Sequence, residues 1–202
     1  HWLRLFIVWY GKWIIHCAIF PFVRVTYEDT APAETEPSII IVNHRSASDP
    51  FLVAILSREI IQMVNGWPMR LPFFGFFARG GEYVDITQTP YEELRDHIKY
   101  ILGKGVSVIA FPEGTRSGNR TMNQFHGSIF RVAHELRAII TPVCITGNEK
   151  IPSRKFKVSC GHIRIRKLPS VKPDTFAELT PFALKTHVRD IIAAETSKMD
   201  AI

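Results

Sequence analysis

His44 and Asp49 stand five residues apart in Asn43-His44-Arg45-Ser46-Ala47-Ser48-Asp49-Pro50, directly after the apolar run Ser38–Val42. An imidazole held by a carboxylate on one nitrogen keeps a single tautomer and leaves its other nitrogen to take a proton from an alcohol. On a continuous helix it is positions i and i+4 that meet, so this pair needs a loop to fold it together. Asp49 before Pro50 and the run FLVAIL reads as a helix N-cap with proline in the first turn. By itself the pair is weak evidence. With 8 histidines and 7 aspartates in 202 residues, chance supplies about 0.3 such spacings, and a capping aspartate beside a loop histidine explains it equally.

A second chemical segment, Phe111-Pro112-Glu113-Gly114-Thr115-Arg116-Ser117, follows the apolar run Val106–Phe111. Proline stops a strand, glycine permits a tight turn, and Glu113 and Arg116 leave the same loop. A guanidinium there can grip a phosphate through two parallel hydrogen bonds. A solvated turn with a surface ion pair is the plainer alternative. Other chemistries fit less well. A serine hydrolase needs the GxSxG elbow, which is absent. His134-Glu135 opens like a zinc-protease helix, but Ala138 stands where the second histidine belongs, so His126 and His134 read as structural. Cys144, inside an apolar run, reads as a buried small residue.

Both motifs depend on the elements that deliver them. Strand candidates are Ser38–Val42, Ile60–Val64, Tyr83–Ile86, Val106–Phe111, Ile139–Ile145 and Phe156–Ile165. Between them lie helical patterns. Over Pro90–Leu102, Thr89 is the expected N-cap, Pro90 the first helical residue and Glu92 the partner of a capping box. Tyr91, Leu94, Ile98 and Ile101 form its apolar stripe, and Gly103 ends it. Ser128–Leu136 and Pro181–Met199 are further helices. Alternating strands and helices predict a single α/β domain, with a mostly parallel mixed sheet flanked by helices. In such sheets chemistry collects in loops at the carboxyl ends of strands, which is where both motifs fall.

In order and spacing, NHRSASD and FPEGTRS resemble the motifs of the glycerophospholipid acyltransferase family, whose best-known members acylate lysophosphatidic acid. Arg70–Asp85 (RLPFFGFFARGGEYVD), with Pro72-Phe73-Phe74-Gly75 at its centre, resembles a further block of that family. Ile140-Thr141-Pro142-Val143, a strand with an internal proline, resembles another, and Asn123–Ser128 falls where the family has an aromatic and a glycine. The resemblance covers about Ser38 to Ile145. It implies that His44 deprotonates an acceptor hydroxyl while Asp49 orients it, and that the alkoxide attacks an acyl thioester with no acyl-enzyme. It further implies that Glu113, Gly114, Thr115 and Arg116 hold the acceptor with help from Arg79. The thioester would be acyl-CoA or acyl-carrier protein, with no other cofactor and no metal. The acceptor would be a lysophospholipid such as 1-acylglycerol-3-phosphate, in phospholipid biosynthesis. The expected place is membrane-associated, on the cytoplasmic face of the inner or plasma membrane. Two positions depart from the pattern. Asn65 or Gly66 stands where members often carry lysine, and Ile86 where many carry arginine. An acceptor other than lysophosphatidate, some other hydroxylated lipid or amphiphile, is therefore the alternative.

Residues 1–27 differ from the rest and form a segment apart from an expected catalytic domain over 28–202. Three of the four tryptophans lie there (Trp2, Trp9, Trp13), yet Arg4, Lys12 and His16 interrupt the apolar run and Gly11 and Pro21 punctuate it. That is too broken for a spanning helix, which needs about 20 apolar residues. Aromatics mixed with a few cations suit an interfacial helix or shallow hairpin; the alternative is a buried N-terminal helix. Glu28–Pro37 reads as an acidic, proline-bearing linker. The net charge of +6, from 25 Lys plus Arg against 19 Asp plus Glu, suits anionic headgroups, phosphorylated substrates or nucleic acid and does not choose between them. The basic residues are too scattered for a nucleic-acid module. A lipid-binding protein without chemistry would account for the N-terminus but has no use for His44 and Asp49. Three cysteines without a CxxC motif set up neither a disulfide framework nor a zinc site.

Overall fold

The computed structural model describes residues 2–18, 22–57, 59–64, 66, 76, 79–86, 88–151 and 160–201. Seven strands form one sheet: β1 (Val23–Asp29), β2 (Ile39–Val42), β3 (Ile60–Val64), β4 (Val84–Asp85), β5 (Ser107–Ala110), β6 (Ile140–Thr146) and β7 (Gly161–Lys167). Their order is β1-β7-β6-β2-β5-β3-β4. Every pairing is parallel except β6 with β7. The predicted α/β class and mostly parallel mixed sheet are what forms. Central β2 and β6 are buried along their whole length, as a parallel sheet covered on both faces requires.

Alternation along β2 separates two cores. Ile39 and Ile41 face helices α3 (Tyr91–Gly103), α4 (Ser128–Glu135) and α6 (Pro181–Asp200), through Leu94, Ile98, Phe130, Leu184, Val188 and Ile192. Ile40 and Val42 face the other layer. There α1 (Trp2–Trp13), the π-turn Ile14–Ala18, α2 (Asp49–Leu52) and the 3-10 turn Val53–Ile55 bring Val8, Ile15, Leu52, Val53 and Ala54. A short helix α5 (Pro173–Phe176) closes the edge of the first core with Phe176.

Four expectations shift. The boundary drawn between residues 27 and 28 falls inside β1, which pairs with β7 through Asp29 opposite Lys167. This is an edge strand, half exposed and polar on one side, so it lacks the apolar run that marked the others. The N-terminal segment is also packed into the domain. Arg4 is buried and bridges Glu59 and Glu82, and a Cβ at Gly11 would lie 2.5 Å from Ala54 Cβ. At α3 the expected capping box does not form: Pro90 is the cap residue, with no side-chain cap bond, so Thr89 lies one residue too early. Gly103 is the last helical residue, and it is Gly105 that takes positive φ (+79°). The start of the Phe156–Ile165 strand and the core of the Arg70–Asp85 block lie outside the described residues.

Candidate active site

β2 and β5 are neighbours, so the loops that follow them emerge side by side at the carboxyl end of the sheet. Backbone bonds join them directly: Ser117 N–H donates to the His44 carbonyl (2.8 Å) and Gly118 N–H to that of Arg45 (3.1 Å). Glu113 completes the seam. Its Oε1 accepts from His44 N–H (2.6 Å) and its Oε2 from Asn123 N–H (2.8 Å). Both oxygens of this buried carboxylate therefore hold backbone, and neither faces outward. Burial raises the Glu113 pKa above the usual glutamate range, more than the two amides and His44 lower it. Asn43 anchors the other side. Its carboxamide donates to the Ile145 carbonyl (2.9 Å) and accepts from Ile145 N–H (2.7 Å), extending the sheet pairing by one side chain.

Within this frame His44 Nδ1 lies 2.7 Å from Asp49 Oδ2. The loop brings the pair together, as the spacing demanded. Asp49 is fully buried, while the His44 side chain keeps 18% exposure and rests its ring 4.8 Å from that of Phe111. A carboxylate only accepts, so Nδ1 carries the proton and Nε2 presents its lone pair. Nε2 has no hydrogen-bond partner among the described residues.

Asp49 is not the N-cap expected of it; Ser48 holds that position, without a side-chain cap bond. Its carboxylate turns back into the loop instead. Oδ2 also accepts from Arg45 N–H and Ser46 N–H, both at 2.8 Å, and Oδ1 from the Asn148 carboxamide. Four donors converge on one buried anion.

The remaining expected residues are more dispersed. Gly114 adopts φ +69°, and a Cβ there would come within 3.0 Å of the His126 ring, so the turn demands glycine. Thr115 and Arg116 are exposed, and Arg116 forms no ion pair among the described residues. Arg79 is exposed in a helical turn. Cys144 is buried with its thiol pushed up to about 12, chiefly by burial, which suits a packing residue. Among the described residues, no group of three or more His, Cys, Asp or Glu is placed to hold a metal ion.

Three polar residues of the site escaped the sequence reading: Asn43, Arg45 and Asn148. The first two lie inside a motif whose histidine and aspartate drew the attention. Asn148 follows β6 at the same sheet end, so the carboxyl-end rule applied to that strand would have found it.

A family model described as Acyltransferase matches residues 22–146. The chloroplast 1-acyl-sn-glycerol-3-phosphate acyltransferase of Arabidopsis thaliana is 26% identical over 139 residues, covering 66% of this chain and 39% of its own length. A lyso-ornithine lipid O-acyltransferase of Pseudomonas aeruginosa is 28% identical over 136 residues, 64% of this chain and 50% of its own. The chain thus spans half or less of the length of both. In three dimensions, the crystal structure of the 1-acyl-sn-glycerophosphate acyltransferase from Thermotoga maritima matches with a TM-score of 0.80. That match has 21% identity and covers 97% of this chain and 79% of that one, which shows a common fold.

Proposed function

The chain belongs to the acyltransferase family, and on that premise we propose that it moves a fatty acyl group from a thioester onto the free hydroxyl of a lysophospholipid at a membrane surface. The observation that carries this reading is the 2.7 Å contact between His44 Nδ1 and a fully buried Asp49. With Nδ1 committed, Nε2 takes the acceptor hydroxyl proton as the oxygen attacks the thioester carbonyl. The imidazolium so formed is stabilised by Asp49, and its proton leaves with the thiolate when the carbon–sulfur bond breaks. No group on the enzyme is acylated. Glu113 serves this step from behind, by holding the His44 and Asn123 amides, and Gly114 lets the turn pass close to His126. Arg116, exposed and without an ion-pair partner among the described residues, offers its guanidinium to an acceptor phosphate. Arg79 is the second cation assigned to that phosphate.

Lysophosphatidate is the acceptor we propose, because the Arabidopsis relative and the Thermotoga structure are both named for 1-acylglycerol-phosphate acylation. A second reading has its own support. Ile86 replaces an arginine of the family pattern, and the Pseudomonas relative is named for acylating a lyso-ornithine lipid. The donor is acyl-CoA or acyl-carrier protein.

Contact with the bilayer is assigned to α1. Arg4, Val8 and Gly11 face the protein, and the opposite face exposes Trp2 (84%), Phe6, Trp9 (59%), Tyr10 and Trp13. Their rings run along the helix with Phe6–Tyr10 and Tyr10–Trp13 stacked at 6.4 and 6.1 Å. Amphipathic rings of this kind rest at headgroup depth. Among the described residues no helix is long and apolar enough to cross a membrane.

Mass spectrometry of lipids formed from an acyl thioester and a panel of acceptors tests the proposal. The expected product is phosphatidate from 1-acylglycerol-3-phosphate. Acylation confined to a phosphate-free acceptor would select the second reading, and no acylated lipid from any acceptor would refute both.

A further inference from the structure

The turn after β6 grips the His44 loop, and no motif read from the sequence includes it. Gly147 adopts φ +81°, and a Cβ there would stand 2.1 Å from the His162 carbonyl oxygen, so the turn closes only around glycine. Beyond it Asn148 is wholly buried, its Nδ2 donating to Asp49 Oδ1 and, at 3.3 Å, to Ser48 Oγ. Glu149 accepts from Arg45 at 2.6 Å. Arg45, also buried, reaches both oxygens of Asp200 at the end of α6, at 2.9 and 2.7 Å. The Ile151 carbonyl accepts from the Ser46 and Ser48 hydroxyls at 2.9 and 2.8 Å. Side chains 45, 46, 48 and 49 are thus all held by residues 148–151. Asn148 is the one that reaches the carboxylate.

A carboxylate bonded only through Oδ2 can twist about its Cβ–Cγ bond, and Oδ1 would be left as a buried acceptor without a partner. A donor on Oδ1 fixes the carboxylate plane, and with it the direction from which Oδ2 holds His44 Nδ1. A neutral amide suits this task. A lysine there would pair with Asp49 and draw its charge from the imidazole, and a second carboxylate would have to share a proton with it.

We infer that Asn148 is a positioning residue for acyl transfer, fixing the Asp49 carboxylate and through it the aim of His44 Nε2. This rests on the reading of His44 as the base. The test compares the wild-type chain with Asn148→Ala, Asn148→Asp and His44→Ala. Loss of a partner that orients a functional side chain costs about 10- to 100-fold by analogy with outer-shell residues elsewhere. Asn148→Ala should lower kcat by about that factor while both KM values stay within about twofold, because Asn148 touches neither substrate. The downfield proton resonance of His44 Nδ1–H, assigned by its loss in His44→Ala, should shift or broaden. Asn148→Asp, nearly isosteric, should add an ionisation to the pH profile of kcat/KM that wild type lacks.

Wild-type kcat with an unmoved resonance in folded Asn148→Ala overturns the inference. So does a loss confined to KM. Should the alanine protein fail to fold, Asn148→Asp decides, and an unchanged pH profile then refutes the role. Acyl transfer that survives in His44→Ala, or is absent from the wild type, would sink the proposed function instead. The Nδ1–H resonance would still report on Asn148.

Discussion

The His44 loop and the outer face of α1 depart from ordinary burial in opposite senses. In the loop, Asn43, Arg45, Ser46, Asp49, Glu113 and Asn148 are all buried polar groups. On α1, Trp2, Phe6, Trp9, Tyr10 and Trp13 are apolar groups left in the open. Buried polar groups are tolerated only when bonded, and here almost every atom is, so the loop is rigid and its geometry unique. Exposed aromatics in a contiguous ridge mark a surface meant for something else. Under the proposed function, the first region supplies precision and the second adhesion. Substitutions in the first should therefore act on rate, and substitutions in the second on where the protein resides.

The largest expected effect is at Asp49. Asp49→Asn should lower kcat by about 10²–10⁴-fold, since the imidazole loses its charge partner and its fixed tautomer. Asparagine fits poorly as well. With its oxygen toward His44, Arg45 and Ser46, its NH₂ meets the Asn148 NH₂, so the melting temperature should fall too. Unchanged kcat in the folded variant would make the buried network a purely structural feature and erase the contrast with α1.

Arg116→Ala comes next. A hydrogen bond to a charged group is worth about 1.5–3 kcal/mol, so the acceptor KM should rise about 10- to 100-fold while the donor KM holds. A rise in the donor KM instead would move the phosphate site elsewhere. The same comparison applied to Arg79 tests the second cation.

For α1, Trp9→Ser with Trp13→Ser should weaken co-sedimentation with anionic vesicles by about tenfold per ring, taking about 1.5 kcal/mol for each aromatic inserted. Both side chains are substantially exposed, so folding should survive. Point substitutions are the cleaner probe, because removing residues 2–25 would also strip Val8, Ile15 and Val23 from the core. Undiminished vesicle binding would place the membrane contact on another face.

The smallest effect is a pH dependence. Burial raises the folded pKa of Glu113 above its unfolded value. That group's contribution to stability is then fully present below the unfolded glutamate range and lost as pH rises through the folded value. Glu113→Gln should flatten this part of the stability profile, measured by denaturant unfolding across acidic pH. A slope identical to wild type would assign it to other carboxylates.

Much of this architecture could be read from residues. β3 runs Ile60–Val64 as expected, because Ile60, Ile61, Met63 and Val64 belong in a covered parallel sheet and the buried Gln62 among them donates to the Pro50 carbonyl. That the NHRSASD and FPEGTRS loops lie at the carboxyl ends of strands was legible too, whereas their direct contact depends on β2 pairing with β5. β1 was passed over because Val23, Val25 and Tyr27 alternate with Arg24, Thr26 and Glu28 instead of forming a continuous apolar run, and they sit next to the aromatic segment that precedes them. The roles of Asp49 and Glu113 were only half legible. Sequence can mark a carboxylate, but which donors close around it depends on loops far away in the chain, such as Asn148. Asp49 therefore looked like a helix cap, and Glu113 like a ligand for substrate, when their oxygens hold backbone amides.

In the proposed reaction His44 Nε2 is the base that activates the acceptor hydroxyl, and its removal is the decisive test. Purified wild-type and His44→Ala proteins would be compared for acyl transfer from an acyl thioester to 1-acylglycerol-3-phosphate in vesicles, with matched circular dichroism and matched vesicle binding. Among the described residues the His44 side chain bonds only to Asp49, and it is not one of the α1 rings assigned to the bilayer, so folding and docking should be retained. The predicted result is a loss of about 10²–10⁴-fold in kcat. Turnover near wild type in a folded, membrane-bound His44→Ala protein would rule out His44 as the base.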